Sequence, residues 1–331
     1  MARLVKKLSF FLGMLKEVTV ILFLGLAVWA YQATQPPPPK ICGTLGGPPI
    51  TAPRMKLRDG RHLSYKEHGV SKETAKAKII LVHGFASTKH DIMSMTEPVL
   101  DVVEELRLYF VSFDRPGYGE SDPDPRRTPK SLALDIEELA DHLGLGYKFY
   151  VMGFSMGGQV VWGCLKYIPH RRDCFTCNSG KFATLGCGML HQKIQLSGAT
   201  LIAPVVNYWW PGFPANLSAE AYYRQIRQDH WALYVAHHTP WLTYWWNTQK
   251  WFPASAAISM KPDILSRQDL ELLPLIAEKR SNRPQATLQG VFESLHRDMM
   301  IGFGKWEFDP MDLENPFPNN EGSIYGRVMK I

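Results

Sequence analysis

The sequence predicts an α/β protein with a mostly parallel, twisted sheet and helices on both faces, and three short apolar runs carry that prediction. Lys78-Ile79-Ile80-Leu81-Val82, Tyr109-Phe110-Val111-Ser112-Phe113 and Phe149-Tyr150-Val151-Met152 are continuous rather than alternating, as strands buried on both faces are. Each run stops at a loop containing glycine: His83-Gly84-Phe85, Asp114 through Gly119, and Gly153-Phe154-Ser155-Met156-Gly157. Between the last two runs, Ser131 to Leu143 places Leu132, Leu134, Ile136, Leu139 and Leu143 mainly along one helical face, with acids on the other. Strand, helix and strand in alternation make a parallel sheet covered by helices. Ligands bind at the carboxyl ends of such strands.

Before these runs, Lys56 to Tyr65 alternates apolar and polar residues around Asp59-Gly60, the pattern of a β-hairpin, so the globular part opens with antiparallel strands. The 331 residues suffice for one substantial core plus appendages. With 45% hydrophobic and 21% charged residues the chain is not disordered. The formal net charge of +6 does not make it a nucleic-acid partner, because its Lys and Arg are scattered and form no basic block interleaved with aromatics. Three of the five cysteines crowd between Cys174 and Cys187, which is not the distribution of a disulfide-framed secreted domain. No cofactor or metal is expected, and the oligomeric state is not legible.

The N-terminus reads as a membrane anchor. Val18 to Ala33 is uninterruptedly apolar or small apart from Thr19 and Gln32, a weaker apolar stretch runs from Phe10 to Leu15, and Trp29 and Tyr31 suit the membrane interface. Arg3, Lys6, Lys7 and Lys16 precede the segment, so the positive-inside bias leaves the N-terminus cytosolic and the folded part lumenal or extracellular. A cleaved signal peptide is the rival, supported by Ala30 following Val28. Pro36 to Pro39 then form a stiff spacer expected to hold the domain off the bilayer, and the sequon Asn216-Leu217-Ser218 would carry a glycan only in this orientation.

Gly153-Phe154-Ser155-Met156-Gly157 fits the pattern of a serine on a strained turn between a strand and a helix. The turn needs small residues two before and two after the serine, where helix and neighbouring strand approach. A helix starting beyond Ser155 points free N–H groups at charge developing on a substrate, which makes the N–H of Met156 one candidate oxyanion donor. His83-Gly84-Phe85, one strand unit upstream, is where the second donor would arise.

On these motifs, from about Arg54 to Tyr325, the chain resembles the α/β-hydrolase superfamily, and in detail its membrane-anchored plant members. The resemblance implies Ser155 as nucleophile and the backbone N–H of Phe85 beside that of Met156 as the oxyanion hole. His83, Gly84, Gly153 and Gly157 would be motif residues, and Asp114, Gly117 and Gly119 would belong to a supporting D-x-x-G-x-G-x-S loop. Serine rather than aspartate at 155 points to an ester or related acyl substrate, and the apolar pocket that the family's cap supplies would make it an apolar one. Tyr208 to Pro316, rich in Trp and Tyr, matches the family's helical cap, although most of these rings could simply pack between helices. The expected organisation is residues 1–40 anchor and spacer, 41–207 core, 208–316 cap and 317–331 a truncated return to the core.

Two departures bear on activity. The resemblance places an acid and then a histidine after the cap, yet no His follows His296, so the C-terminal strands, helix, acid and His are expected to be missing. Read one frame over, codons allowed for Ile324 to Ile331 can spell the acid-bearing segment, which suggests a frameshift. His296 and Asp298 are the available but poor substitutes. The resemblance also breaks between Arg172 and Gln195, as a retained intron would break it. Cys174, Cys177, Cys187 and His191 inside that stretch imitate zinc-ligand spacing. An impaired serine hydrolase is therefore expected, with a non-catalytic binding member of the same fold as the alternative.

Overall fold

A computed structural model describes residues 2–91, 97–146, 148–171, 194–259 and 286–313, with scattered positions between 266 and 274. Residues 172–193 of the proposed insertion, with its cysteines, and the C-terminal return lie outside the described residues, while Ile194 and Gln195 begin a strand.

Among the described residues seven strands form one sheet: β1 (Arg54–Lys56), β2 (His62–Gly69), β3 (Ala77–Val82), β4 (Leu108–Phe113), β5 (Lys148–Phe154), β6 (His170–Arg171) and β7 (Ile194–Ile202), in the spatial order β1-β2-β4-β3-β5-β7-β6. The four central strands β4, β3, β5 and β7 are parallel, and antiparallel strands flank them on both sides. β1 and β2 make the expected hairpin, with Met55 opposite Leu63, and Gly60 takes the positive φ of 92° that its turn demands.

Period-two alternation sends successive strand residues to opposite faces, and both are covered. Ile80, Val82, Val111 and Phe113 pack with Leu132, Ile136 and Leu139 of α3 (Pro129–His142) and with Val160 and Val161 of α4 (Gly157–Tyr167). Leu81 and Phe110 face the other way, against Val103 of α2 (Glu97–Glu105). Burying each such side chain contributes roughly 1.5–3 kcal/mol. α3 starts at a reciprocal cap, where Thr128 Oγ1 accepts from the Ser131 N–H at 3.0 Å and Ser131 Oγ accepts from the Thr128 N–H at 2.9 Å.

Two expectations for α3 are corrected. Leu134 is exposed, because it lies two residues from both Leu132 and Ile136 and so turns away from the buried stripe. Asp135 is not on a solvated face: it is buried beside Ile136 and receives Arg61 Nη1 at 3.1 Å and Nη2 at 2.7 Å.

α1 (Ala2–Thr34) is longer than the apolar run suggested, because the stretch from Phe10 to Leu15 joins it. Its segment Phe11–Thr34 covers 24 residues with mean hydropathy 2.0 and no part buried in the protein, which is long and apolar enough to cross a membrane. At 1.5 Å per residue this spans about 36 Å, against a hydrocarbon core of about 30 Å. The spacer after it is short in effect. The Lys40 N–H already donates to the Gln289 carbonyl at 2.9 Å and the Cys42 N–H to Gln289 Oε1 at 3.1 Å, so the domain is tied within a few residues of the helix end.

After β7 come α5 (Ala215–Tyr223), α6 (Arg227–His238), α7 (Thr243–Thr248) and α8 (Ala256–Ser259), then a π-helical turn Phe292–His296 running into the helix Arg297–Gly302. Ala232, Leu233 and Ala236 of α6 pack with Met299, Phe303 and Met156 in a second core cluster, with Phe85, Tyr208 and Trp209 against it. These helices therefore lie over the end of β5 that leads to Ser155.

Candidate active site

β5 ends at Phe154, α4 begins at Gly157, and Ser155 occupies the bend between them with φ 53°. For a serine that left-handed conformation is strained, at a cost on the order of 1–3 kcal/mol, and the surroundings impose it. The Ser155 N–H donates to the Ile202 carbonyl at 2.9 Å, and its own carbonyl accepts from the N–H groups of Gly158 at 2.9 Å and Val205 at 3.1 Å. The glycines are required by close approach. A Cβ on Gly153 would collide with the Gly157 carbonyl, and one on Gly157 with the Val82 carbonyl of β3. A Cβ on Gly84 would stand 3.0 Å from that of Ser155, which places the His83-Gly84-Phe85 loop directly beside the serine.

Ser155 is half-buried, and its hydroxyl makes no hydrogen bond to a described residue. The backbone N–H groups of Phe85 and Met156 likewise donate to no described residue. A free hydroxyl thus sits between two loops that carry free donors. That arrangement suits attack on a carbonyl and stabilisation of the resulting oxyanion.

The loop around Gly84 is held by a buried network that sequence reasoning missed. His83 is fully buried: its Nδ1–H donates to the Gly84 carbonyl at 2.8 Å, and Nε2 accepts from the Arg115 N–H at 3.0 Å. Both nitrogens are engaged in the neutral tautomer. Burial first and the nearby Arg115 charge second hold its pKa well below 6.5. His83 therefore shapes the loop and has no free nitrogen to act as a base. Arg115 Nη2 donates to the same Gly84 carbonyl at 2.8 Å, while its guanidinium pairs with both oxygens of Asp298 at 2.7 and 2.6 Å. Tyr118 Oη donates to Asp298 at 2.7 Å and Arg127 Nη2 at 2.9 Å. Four donors from three residues hold Asp298 ionised with a lowered pKa, against the opposing effect of its own burial.

Asp298 is thus occupied as the anion of a structural clamp. His296 is buried among the rings of Tyr244 and Phe292, and burial, partly offset by the Val291 backbone, lowers its pKa to about 4. Arg115 lies inside the recognised loop, but Asp298 is 183 positions away, and only folding brings the two together.

The rest of that loop is similarly built. Asp114 is buried and accepts from the Lys89 N–H at 2.8 Å and Lys89 Nζ at 2.6 Å. A Cβ on Gly119 would strike the Asp114 carboxylate, and one on Gly117 the Glu293 carbonyl. Among the described residues no cluster of three metal-ligating side chains occurs.

A cavity of about 870 Å³ lies in the helical segment, lined by Trp209, Trp210, Tyr222, Tyr223, Trp231 and Tyr234 among others. Ser155, Phe85 and Met156 are not part of its wall. Tyr208, Trp209 and Tyr222 stand between, lining the cavity and packing in the cluster that contains Met156 and Phe85.

Solved structures similar to this chain include a hydrolase from Pseudomonas aeruginosa, with 17% identity over 78% of this chain and 74% of the other, TM-score 0.41. An esterase from Thermogutta terrifontis shares 19% identity over 76% and 73%, TM-score 0.44. An enol-lactonase from Burkholderia xenovorans shares 14% identity over 79% and 76%, TM-score 0.44. The model of the Alpha/beta hydrolase family matches residues 79–300, more than half of the sequence, and the chain belongs to that family.

Proposed function

We propose that the chain is a serine hydrolase of ester or related acyl substrates. Ser155 Oγ attacks the acyl carbon, and the N–H groups of Phe85 and Met156 receive the developing oxyanion. The observation that carries the reading is the strained bend at Ser155, with its unbonded hydroxyl against the Gly84 loop. The helical segment after β7 acts as the cap and provides an apolar binding surface.

Hydrolysis also needs a base, and neither His83, bonded at both nitrogens, nor His296, buried in an aromatic pocket, is placed to serve. On this reading the chain is slow. Its oxyanion donors and binding alone leave about 10³–10⁴-fold catalysis over water, far below a complete triad. A binding member without turnover is the second reading, favoured by the cavity of about 870 Å³.

A fluorophosphonate probe on the purified full chain tests this. Slow labelling that disappears in Ser155→Ala is expected. Labelling that survives Ser155→Ala would remove Ser155 as the nucleophile, and no labelling at all would favour the binding reading.

The localisation we propose is single-pass, with the N-terminus cytosolic and the domain on the far side, in keeping with the length and hydropathy of Phe11–Thr34 and the basic residues before it. Asn216 is exposed at the start of α5. In eukaryotic cells, endoglycosidase should speed the migration of the full chain on a gel, and Asn216→Gln should cancel the shift. An unshifted wild-type band would count against the lumenal placement.

A further inference from the structure

The segment from Pro240 to Phe252 combines two features that conflict in water. It is rigidly built, yet it exposes large aromatic side chains: Trp241 is 64% exposed, Trp251 71% and Phe252 50%. Gln249 fixes the tip, since its Oε1 accepts from the N–H groups of Trp251 and Phe252 and its Nε2 donates to the carbonyls of Trp246 and Phe252, both at 2.8 Å. The rings form a continuous array. Phe252 stacks on Trp246 at 5.4 Å, Trp246 meets Trp231 at 6.3 Å, and Trp231 meets Tyr234 at 6.2 Å. Trp231, itself 51% exposed, and Tyr234 also line the cavity, so the array runs from the ledge to the cavity rim.

Three observations indicate what covers this ledge. α1, the helix long and apolar enough to cross a membrane, lies against α7 within the same segment. Its C-terminal end, Thr34, is six residues from Lys40, which is already bonded to the domain at Gln289. Six extended residues reach at most about 19 Å at 3.1 Å each, so the domain cannot stand far from the point where α1 leaves the bilayer. The charge pattern agrees. From Pro240 to Ser259 there is no Asp or Glu, and the single charge is the exposed Lys250 between the aromatic residues. Trp rings beside a lysine suit the headgroup zone of a membrane, where the ring is half-buried and the ammonium meets phosphate.

We propose that the aromatic ledge of residues 240–252, with Trp231, rests on the surface of the bilayer that α1 enters. The cavity rim then faces the lipid, and the substrate class becomes esters that reside in the membrane. This rests on the membrane placement and acyl chemistry proposed above.

The test uses the full chain in phosphatidylcholine vesicles carrying brominated acyl chains, with bromine either near the headgroup or near the bilayer centre. Trp29 in α1 reports the anchor, and Trp29→Phe silences it. Of the ten tryptophans nine then remain, and three of them (Trp231, Trp241, Trp251) belong to the exposed array, so shallow bromine should quench about a third of the emission. Adding Lys250→Glu and Phe252→Glu keeps every one of those tryptophans and changes only exposed positions, and it should return the emission to its detergent value. If the wild-type chain is quenched by bromine and that quenching is lost in Trp29→Phe, which is itself not quenched by shallow bromine, the anchor stands and the docking surface is wrong. Quenching that survives the double substitution assigns a different face to the lipid and overturns the proposal. Absence of quenching in every chain overturns both the docking and the anchor. Concentration-dependent cross-linking through the ledge, without quenching, would make a second copy the occupant and would also overturn it.

Discussion

Asp298→Ala should lower the unfolding free energy by about 3–5 kcal/mol, the loss expected when one partner of a buried ion network is removed. The carboxylate and both guanidinium groups are almost entirely buried, with side-chain exposures of 3%, 2% and 0% for Asp298, Arg115 and Arg127. Without the anion, two cations stay in a low-dielectric interior, and the Tyr118 hydroxyl loses its acceptor. The Gly84 loop would loosen too, because Arg115 bridges Asp298 to the Gly84 carbonyl. Denaturant unfolding of the detergent-solubilised full chain measures the loss. Combining Arg127→Met with Asp298→Ala should recover part of it by removing one uncompensated cation. An Asp298→Ala chain as stable as the wild type would show that the clamp does not hold the fold.

Acidification should destabilise the chain well above the range where carboxylates titrate, and the buried histidines His296 and His83 lead the effect, with the partly buried His68 and His237 acting in the same sense. His296 has a folded pKa of about 4, and His83 lies well below 6.5. Between pH 6.5 and about 4 the unfolded chain binds protons at these positions that the folded chain refuses, so stability falls as pH falls. From pH 7.5 to 5.5 His296 contributes a loss of about 1.4 kcal/mol, and His83 adds a loss in the same direction. Asp135 acts in the opposite sense. Burial, against the pull of Arg61, raises its pKa to about 6, and its protonation in the folded state returns under about 1 kcal/mol over the same range. A net loss is expected, because the His296 loss alone exceeds the Asp135 return. His296→Phe, which suits the rings of Tyr244 and Phe292, should remove the His296 share of about 1.4 kcal/mol. Parallel stability curves for the two chains between pH 7.5 and 5.5 would sink this account.

The legibility of the fold followed how local each signal is. Continuous apolar runs and glycine-bearing loops gave β3, β4 and β5 to within one or two residues, because burial on both faces leaves a pattern in five consecutive side chains. The hairpin before them was equally plain in Asp59-Gly60, since the turn requires a positive φ. The amphipathic reading of α3 was right in outline and wrong at Leu134 and Asp135. An acid on the margin of a buried stripe can be taken inside when a guanidinium such as that of Arg61 meets it. The spacer was judged by its prolines alone, and nothing in the sequence reveals that Lys40 and Cys42 would be pinned by Gln289, some 247 residues away.

The sequence by itself determined the family, the bend that carries Ser155, and the glycines around it, because these depend on backbone sterics within a few residues. Tertiary structure alone decided that Asp298 is the anion of a clamp, that His83 is locked as a neutral ring, and that the aromatic segment turns several rings outward beside α1. The physical reason is that charge pairing, desolvation and exposure depend on which distant residues fold into contact, and a pattern of neighbours along the chain holds no record of those partners.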